Sequence, residues 1–450
     1  MEPSRPAISS ANANWWRTGH NALYAGMLAA LFFCLGCGNA AERTDAAAAA
    51  SGTAEAPPVK TGAAVLAERG FDLLDGKRVG LVVNHTARVD TTHLIDLIAA
   101  APNVELAALF GPEHGLRGTA DAGEKIADGR DERTGVPVYS LYGETRKPTP
   151  DMLAGADVLV FDIQDIGARF YTYISTMGLA MQAAAEQGIA FVVLDRPNPL
   201  GGNYVSGFML EPEHTSFVGQ YPIPMVHGMT VGELARMIRD ESMMEGLDGL
   251  DLHVVEMEGW RRDMLWPETG LPWIAPSPNI PDFETALVYP GPVLFEATSA
   301  SEGRGTRQPF VQVGAPWLDG QAAADSLNAQ RLPGVRFEAI VFTPESIPGM
   351  ASHPKLEGQA LEGIRHILTD ERAFRPVETG IHVLDVFRRQ AASNTPEKLV
   401  NRPAGMARLA GTQRLLSMLQ EGASPETVIA SWEREVLAFR EMRAASLLYP

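Results

Sequence analysis

Four short runs of almost uniformly apolar residues divide the chain from residue 79 onward. They lie at 79–84, 104–110, 157–162 and 190–195, and they are rich in valine, leucine and phenylalanine. Runs of this length and composition are typical of buried β-strands. Segments with helical spacing of apolar residues separate them, most clearly residues 170–188. This alternation predicts an α/β fold in which helices cover both faces of a parallel sheet.

The alternation continues beyond residue 230 with less regular spacing. Thr230 and Glu233 form the sequence signature of a capping box at the start of an amphipathic helix. A long helix is predicted to begin at Ser424 and Pro425 and to run to the end of the chain. Further strands are predicted at 252–257, 335–342 and 380–387.

The N-terminal 60 residues have the composition of an export signal followed by a tether. Residues 22–35 are apolar over the length of a signal-peptide core, which is too short for a comfortable membrane span. They lead into CLGC, which is close to a bacterial lipobox, so Cys37 is expected to carry a lipid. An ordinary signal peptide or an uncleaved anchor is the alternative. Gly38, where an aspartate would signal retention, favours the periplasmic face of the outer membrane over the inner membrane.

These features divide the chain into four regions. Residues 1–37 form the signal peptide with the lipobox, and the alanine-rich residues 38–60 form a flexible tether with too little apolar surface to fold alone. Few clear elements lie between residues 203 and 230, so the folded part is divided into 61–215 and 216–450. If the protein remains unlipidated, it is expected to be periplasmic or secreted.

Composition narrows the classes of function. The chain of 450 residues has a formal net charge of −18, which argues against general nucleic-acid binding because that needs a basic surface. The two cysteines, Cys34 and Cys37, both lie near the N-terminus, so the folded part has no thiolate ligands and no disulfide. Its chemistry must use oxygen and nitrogen groups.

Polar residues follow each of the four early strands. Because the carboxyl ends of parallel strands share one edge of a sheet, these residues are expected to meet there and to bind a ligand. They are Asn84, His85, Glu113, His114, Arg117, Asp162, Gln164, Asp165, Arg169, Asp195 and Asn198. Asp162 and Asp195 also suit helix caps or loop braces, His85 a structural histidine, and Arg169 a partner of Asp165. Glu113 has no such alternative role that the sequence suggests.

A second polar region, residues 265–310, is rich in proline and aromatic residues and has little periodicity. Long ordered segments of this kind are usually functional. Trp266 and Trp273 could face the apolar side of a sugar, while Asn279 and Glu302 supply polar groups. Arg304 lies between glycines, and arginine is suited to bidentate binding of a carboxylate.

Several motifs in this order resemble one known family. They are GLVVNHTARV, LFGPEHGLRG, DIQDIGARFYTYISTM, VLDRPNPLGG, GLPWIAPSPNIP and EGRGT. Together with the C-terminal segment, they resemble the DUF1343 family over roughly residues 62–450. The resemblance implies a Rossmann-like α/β N-terminal domain and a second α/β domain, with the active site in the cleft between them. It also implies an exo-β-N-acetylmuramidase, a glycoside hydrolase that releases terminal N-acetylmuramic acid from peptidoglycan fragments.

The resemblance implies roles for several residues. The acidic residue of the family's PEHG loop falls on Glu113, the candidate general acid, and His114 would orient it or contact the sugar. The second carboxylate would be Asp162, Asp165 or Asp195, or the substrate's acetamido group would act as the nucleophile. Arg304 and Arg169 are the candidates for binding the lactyl carboxylate. The remaining strand-end and loop residues named above are expected to contact the saccharide substrate.

The chemistry that the resemblance implies requires neither a metal nor an organic cofactor. The glycine-rich loops are not a dinucleotide fingerprint, since no GxGxxG motif follows the first strand. Two other classes of function stay open. A metal-dependent esterase or amidase would use His85, Glu113, His114 and Asp162 as ligands. A non-catalytic lipoprotein would hold cell-wall fragments in the same cleft. Peptidoglycan-derived saccharides are the expected partners, with no nucleic acid and with a membrane only through the N-terminal anchor.

Overall fold

The structure is a computed structural model, and its elements follow the alternation predicted from the sequence. It describes residues 58–113, 115–116, 129–143, 145–394 and 399–450. The strands are β1 (Arg78–Val83), β2 (Arg88–Val89), β3 (Thr92–His93), β4 (Glu105–Gly111), β5 (Gly129–Arg130), β6 (Pro137–Ser140), β7 (Val158–Asp162), β8 (Ala190–Leu194), β9 (Ser206–Met209), β10 (Pro224–Val226), β11 (Leu252–Val255), β12 (Gln312–Ala315), β13 (Val335–Phe342) and β14 (Leu361–Leu368). The helices are α1 (Gly62–Glu68), α2 (Leu94–Ala100), α3 (Pro150–Leu153), α4 (Tyr173–Gln187), α5 (Val231–Asp240), α6 (Phe283–Val288), α7 (Gly320–Ala329), α8 (Pro376–Asn394), α9 (Pro403–Ala410), α10 (Arg414–Glu421), α11 (Pro425–Ala430) and α12 (Glu433–Arg443).

A seven-stranded sheet forms the centre of the fold. Its strand order is β11-β8-β7-β1-β4-β6-β5, and every pair is parallel except β5 with β6. Without β5, this order is that of a doubly wound Rossmann sheet, with the chain reversing its direction of growth between β1 and β7. The prediction of an α/β fold with a parallel sheet is confirmed.

Side chains alternate between the two faces of this sheet and build two separate apolar clusters. In β1, Val79, Leu81 and Val83 face one cluster with α1 and α2, while Val82 faces the other with α4 and α5. Both clusters exclude water, which explains why the strands are apolar at nearly every position.

Helix α4 and the start of α5 confirm two local predictions. Ile174, Met177 and Met181 are buried along α4, and the residue that caps its C-terminus, Gly188, has a left-handed conformation that glycine adopts without strain. Thr230 and Glu233 form the predicted capping box at the start of α5.

A smaller antiparallel sheet, in the order β12-β14-β13, lies in the C-terminal part. The predicted strand at 380–387 is wrong, because these residues lie in the middle of α8. The residues from Thr379 to Phe387 are all buried, and a helix buried on all sides gives the same apolar run as a buried strand. The predicted strands at 252–257 and 335–342 are confirmed as β11 and β13.

The C-terminal prediction is confirmed at its start and wrong in its length. Ser424 accepts a hydrogen bond from the Thr427 N–H at the start of α11, but α11 ends at Ala430 and α12 at Arg443. The last residues then return to the loop after β11, where the Arg262 N–H donates to the Pro450 carbonyl at 2.9 Å. This return requires an extended tail, so the helix cannot continue.

The predicted domain division at residue 215 stays a prediction. Strand β11 lies beyond that boundary and pairs in parallel with β8 of the large sheet. The predicted signal peptide, Cys37 and nearly all of the tether lie outside the described residues. Within the described ranges, no helix has the length and apolar character needed to cross a membrane.

Candidate active site

Glu113 lies two residues beyond the carboxyl end of β4, and it is half-buried. Its Oε2 accepts a hydrogen bond from the Thr172 hydroxyl at 2.8 Å. Thr172 immediately precedes α4, so the contact joins the loop after β4 to the first turn of a helix that follows β7, on the other side of β1. His114 and Arg117, the other predicted residues of this loop, lie outside the described residues.

Phenol groups also lie near Glu113. Burial raises the pKa of Tyr142, and the charge of Glu113 and a hydrogen bond between the two raise it further. Burial and the Glu113 charge also raise the pKa of Tyr173, whose hydroxyl donates to the Pro276 carbonyl at 2.6 Å. Among the described residues, no cation forms an ion pair with Glu113. Its described partners are therefore hydroxyl groups.

Asp162, at the end of β7, has a charged partner instead. Arg196 donates to both of its carboxylate oxygens, from Nε at 2.5 Å and from Nη2 at 2.9 Å. Asp162 is fully buried and Arg196 is nearly so. A bidentate pair of this kind fixes the loop after β8 against the end of β7.

Asp195, directly after β8, accepts four hydrogen bonds. The N–H groups of Arg196 and Gly232 donate to Oδ1 at 2.9 and 2.8 Å, and the hydroxyls of Thr230 and Tyr449 donate to Oδ2 at 2.7 and 2.6 Å. Burial raises the pKa of the Asp195 carboxyl to about 7, although the hydrogen bonds from Tyr449, Thr230 and Gly232 lower it. Asp195 therefore joins the start of α5 and the C-terminal tail to the sheet edge.

Asp165 is buried and has fewer partners than the other two aspartates. The Gly167 N–H donates to its Oδ2 at 2.7 Å, and its Oδ1 has no hydrogen-bond partner among the described residues. Burial raises the pKa of this carboxyl to about 7. The neighbouring Gln164 donates through Nε2 to the carbonyls of Asp165 and Pro197, which braces the loop.

Arg169 is fully buried, and its partners are backbone groups rather than Asp165. Its guanidinium donates to the carbonyls of Phe208, Ile223 and Leu409 at 2.7 to 3.0 Å. Asn198 is likewise bonded to the backbone, through the Met229 carbonyl at 3.0 Å. Both side chains connect distant segments of the chain in this structure.

The loop after β1 contacts the polar segment 265–310. A single site built from the strand-end loops and this segment would need such a contact. His85 Nε2 lies 2.7 Å from the Ala275 carbonyl, and Asn84 accepts hydrogen bonds from the N–H and hydroxyl of Thr86. Asn279 donates to the Met350 carbonyl at 2.6 Å and is almost fully buried. The segment around Ala275 thus covers the sheet edge beside β1.

The tryptophans of this segment pack against each other. The rings of Trp266 and Trp273 meet edge-on with centroids 5.1 Å apart, and Trp266 is buried. In this arrangement Trp266 belongs to the core, where an indole contributes much apolar area.

Arg304 lies among carboxylates and aromatic rings. Its Nη2 is 2.9 Å from Glu296 Oε1, and its Nε is 3.7 Å from Glu302 Oε1, while Lys355 pairs with the other Glu302 oxygen at 2.7 Å. The Arg304 guanidinium also stacks 5.0 Å from the Phe310 ring.

Tyr289 connects this group to the sheet edge. Its ring lies 4.6 Å from Phe310, and burial is the largest cause that raises its pKa. The charges of Glu113 and Asp165 raise that pKa further, and the charge of Arg304 lowers it. The structure therefore brings Glu113, Asp165 and Arg304 into electrostatic reach of one tyrosine.

A metal-dependent hydrolase would need at least three ligand side chains close to one another. Over the described part of the chain, potential metal ligands converge in threes only at Glu211, Glu213 and His214. That group contains neither His85 nor any other residue of the hypothesis, of which His114 lies outside the described residues.

Sequence reasoning missed four residues that hold the acids in place: Thr172, Tyr142, Arg196 and Tyr449. For Arg196 a signal existed, because it follows Asp195 directly in the loop after β8. The other three are 59, 29 and 254 residues away from their acid partners, and no local pattern indicates such contacts.

Comparison with known proteins gives consistent matches over this whole region. Family models described as the N-terminal and C-terminal parts of the exo-β-N-acetylmuramidase NamZ match residues 79–284 and 287–449. A protein of Bacillus subtilis (strain 168) named peptidoglycan β-N-acetylmuramidase NamZ is 45% identical over 400 residues, covering 88% of this chain and 93% of that protein.

Two crystal structures of DUF1343 family proteins from Bacteroides fragilis NCTC 9343 are also similar. One has a TM-score of 0.80 at 39% identity, and the other a TM-score of 0.72 at 34% identity. Each comparison covers 87% of this chain and 99% of that chain. The chain belongs to the DUF1343 family, which includes the exo-β-N-acetylmuramidase NamZ.

Proposed function

We propose that this protein is an exo-acting glycoside hydrolase that releases terminal N-acetylmuramic acid from peptidoglycan fragments. The identity of 45% to a relative with a β-N-acetylmuramidase name supports this activity. The observation that carries the assignment to a site is Glu113, a half-buried carboxylate at the sheet edge whose described partners are hydroxyl groups.

Glu113 is the general acid in this proposal. Cleavage of a glycosidic bond requires a proton on the leaving oxygen, and a positioned carboxyl group supplies it. Thr172 and Tyr142 hold the carboxyl group by hydrogen bonds and leave its charge unpaired by any described cation. Neutral hydroxyl partners of this kind suit a carboxyl group that donates a proton, as the acid role requires. His114 follows it directly and would orient it or contact the sugar.

Asp165 is the proposed second carboxylate. Asp162 is paired with Arg196 and Asp195 accepts four hydrogen bonds, so both have their oxygens engaged. Asp165 has an oxygen without a described partner, and its charge acts on Tyr173 and Tyr289, as that of Glu113 does. It would act on the substrate as base, as nucleophile or by steering the acetamido group.

The substrate would lie in a cleft between two α/β parts, the predicted 61–215 and 216–450. Arg304 is the candidate cation of this region, and its Nε contact to Glu302 is long at 3.7 Å. An approaching lactyl carboxylate could therefore accept a charge-assisted hydrogen bond from this Nε. His85 contacts the polar segment at the Ala275 carbonyl, and His85, its neighbour Asn84 and Asn279 of that segment would contact the saccharide.

Export and lipidation belong to the same proposal. Cys37 would be acylated and would anchor the enzyme at the periplasmic face of the outer membrane. Growth of producing cells with labelled palmitate measures this directly. Equal labelling of the wild type and of Cys37→Ala would contradict the anchor and leave the enzymatic proposal standing.

The test of the activity is release of p-nitrophenol from the β-N-acetylmuramide, with the β-N-acetylglucosaminide in parallel. We expect turnover of the muramide only, and a loss of about 10²- to 10⁴-fold in Glu113→Gln, the range typical of a general acid. Glu132→Gln is the matched control, because Glu132 is exposed and lies between β5 and β6 of the same sheet. It should keep full activity.

Three outcomes would overturn parts of the assignment. Failure of the folded wild type to hydrolyse both the muramide and a longer muramyl glycan, with binding still measurable, would indicate the non-catalytic binding protein. Full activity of Glu113→Gln would retain the hydrolase and remove Glu113 from the chemistry. Loss of activity on treatment with a chelator would indicate the metal-dependent hydrolase.

A further inference from the structure

A cavity of about 250 Å³ is lined by none of the residues that surround Glu113. The loop after β8, the loop after β11, the start of α8 and α12 contribute to its wall. Four arginines line it, Arg262, Arg372, Arg375 and Arg440, and we call it the arginine pocket. It draws residues from both family modules, since the first ends at residue 284 and the second begins at 287.

The charge of the arginine pocket is opposite to that of the protein. The chain has a net charge of −18, yet only two carboxylates, Asp263 and Glu371, line the pocket beside the four arginines. Asp263 is engaged with Arg261 at 3.2 Å. Four guanidinium groups around one cavity create a local field that attracts anions, even in a chain that is acidic as a whole.

Two of the arginines keep most of their donors available. Arg375 uses Nη1 on the carbonyls of Arg372, Ala373 and Phe374, and Arg440 uses Nη2 on the Asn203 carbonyl at 3.3 Å. Within the described ranges, neither forms an ion pair with a carboxylate. A guanidinium has five N–H donors in a planar fork, so each retains a side for a bidentate acceptor.

Arg262 and Arg372, in contrast, are held by acids that do not line the pocket. Arg262 pairs with the buried Glu233, and Arg372 pairs with Glu268. These pairs fix the two guanidinium groups in place without closing the pocket. The pocket therefore combines two anchored cations with two that have donors to spare.

A fifth arginine lies close to the pocket. Arg443 is buried and donates to the carbonyls of His227 and Gly202 at 2.9 and 3.0 Å. Burial and, to a lesser degree, the charges of Arg262 and Arg440 lower its pKa to about 10. The cations of this region thus repel one another, and a bound anion would relieve that repulsion.

The remaining wall is largely apolar, with Leu200, Leu265, Leu287 and Phe374 and the ring of Tyr204. We propose that the arginine pocket binds a small organic oxyanion, a carboxylate or a phosphate on a short apolar body. Its charged group would lie between Arg375 and Arg440, and its body against the leucines. Because none of the residues around Glu113 lines the pocket, this site does not depend on the proposed function.

The experiment is a titration of the full chain with inorganic phosphate and with propionate at constant ionic strength, followed by calorimetry and by the thermal unfolding midpoint. Saturable binding of at least one anion, with chloride as the reference salt, is expected. Preference for phosphate would identify a phosphoryl ligand, and preference for propionate a carboxylate ligand with an apolar body.

Arg440→Gln should weaken this binding at least tenfold, as the loss of a charge-assisted hydrogen-bond pair implies. Arg434→Gln is the matched control, because Arg434 is exposed on the same helix and does not line the pocket. It should change binding less than twofold. Absence of saturable binding for both anions, or an equal loss in the two variants, would overturn the site. Arg440 is exposed, so both variants should unfold at the wild-type temperature without anion.

Discussion

Glu113 and Asp162 lie at the carboxyl ends of two strands on either side of β1, at the same edge of the same sheet, yet their surroundings differ in kind. Asp162 is fully buried and bonded by both oxygens to Arg196. Glu113 is half-buried, and its described partners are the hydroxyls of Thr172 and Tyr142. Both residues lie at a strand end, so the hydrogen-bonding partner, and not the position, distinguishes a structural carboxylate from a candidate acid.

The partner matters because it affects the free energy needed to protonate the carboxylate. Protonation of Asp162 would leave the guanidinium of Arg196 buried without its counter-charge, which is strongly unfavourable. Hydroxyl groups are neutral and can rotate to donate or to accept, so Thr172 and Tyr142 can serve Glu113 in either protonation state. The two strand ends thus differ in the charge of the described partner, a buried guanidinium for Asp162 and neutral hydroxyls for Glu113.

Among the effects that would sharpen this comparison, we expect the largest to be the loss of stability in the variant Asp162→Asn. The substitution keeps the shape and removes the charge, so Arg196 remains buried and unpaired, and we expect a loss of about 3–5 kcal/mol in the free energy of unfolding. Urea unfolding of the variant and the wild type measures it. By contrast, Glu113→Gln should lower stability clearly less than Asp162→Asn, since it keeps an acceptor for the hydroxyl partners and leaves no described cation unpaired.

A matched control lies at the other end of the same strand. Asp157 pairs with Arg78 at 2.8 Å, but both side chains are exposed, and exposed pairs contribute little. Asp157→Asn should therefore be far milder than Asp162→Asn. If the two aspartate variants lost the same stability, burial of the Asp162 pair would not be the cause and the contrast with Glu113 would fail.

The next largest effect that we expect is the contribution of Asp165 to the pH dependence of stability. Its pKa is about 7 in the folded protein, against about 3.9 in an unfolded chain. The folded state therefore binds more protons between these values, so this carboxyl stabilises the fold below pH 4 and loses its contribution as the pH rises to about 7. A difference of about three pKa units corresponds to at most about 4 kcal/mol.

Unfolding in urea at pH 4.5 and pH 7.5 tests this, with Asp165→Asn beside the wild type. The variant cannot titrate, so its stability should fall less over this interval than that of the wild type. Asp151→Asn, at an exposed position in α3, is the control and should follow the wild type. Identical pH dependence of the wild type and Asp165→Asn would show that Asp165 is ionised throughout and belongs with Asp162.

The sequence predicts the sheet and its edge because both depend on local patterns. Continuous apolar runs mark strands that are buried on both faces, and β1 shows this directly, with Leu81 in one cluster and Val82 in the other. The strand-end rule then places Glu113, Asp162 and Asp195 on one edge without any knowledge of strand order.

The strand order and the partners of the acids depend on contacts between distant residues. Arg196 is 34 residues from Asp162, Thr172 is 59 from Glu113, and Tyr449 is 254 from Asp195. Periodicity over a window of roughly ten to twenty residues holds no information on such pairs. For this reason the three buried aspartates are equal candidates in the sequence and become distinct only in the structure.

Burial on all sides is a second source of error. The apolar run at 380–387 predicts a strand, but it belongs to α8, whose residues are buried around the whole circumference there. The strand-end motif likewise gives no sign that the Arg169 guanidinium donates to three backbone carbonyls, and its role in substrate binding stays a prediction. In both cases the local pattern reports burial or polarity but not the direction of a side chain.

The smallest effect that we expect to test the comparison is a fall in kcat in the variant Thr172→Val. Valine has nearly the same shape and cannot donate to Glu113, so the carboxyl group loses one of its two hydroxyl partners. A hydrogen bond to a charged group contributes about 1.5–3 kcal/mol, which corresponds to a fall in kcat of roughly ten- to a hundredfold. The KM for the muramide should stay unchanged, because Thr172 would position the acid and leave the sugar untouched.

The variant Thr172→Ser retains the hydroxyl and should recover most of the wild-type kcat. A purely structural role for Thr172 at the start of α4 would lower stability in Thr172→Val without a fall in the kcat of the folded enzyme. Unchanged kcat in Thr172→Val would mean that hydroxyl partners do not prepare Glu113 for proton transfer, and the distinction between Glu113 and Asp162 would then rest on burial alone.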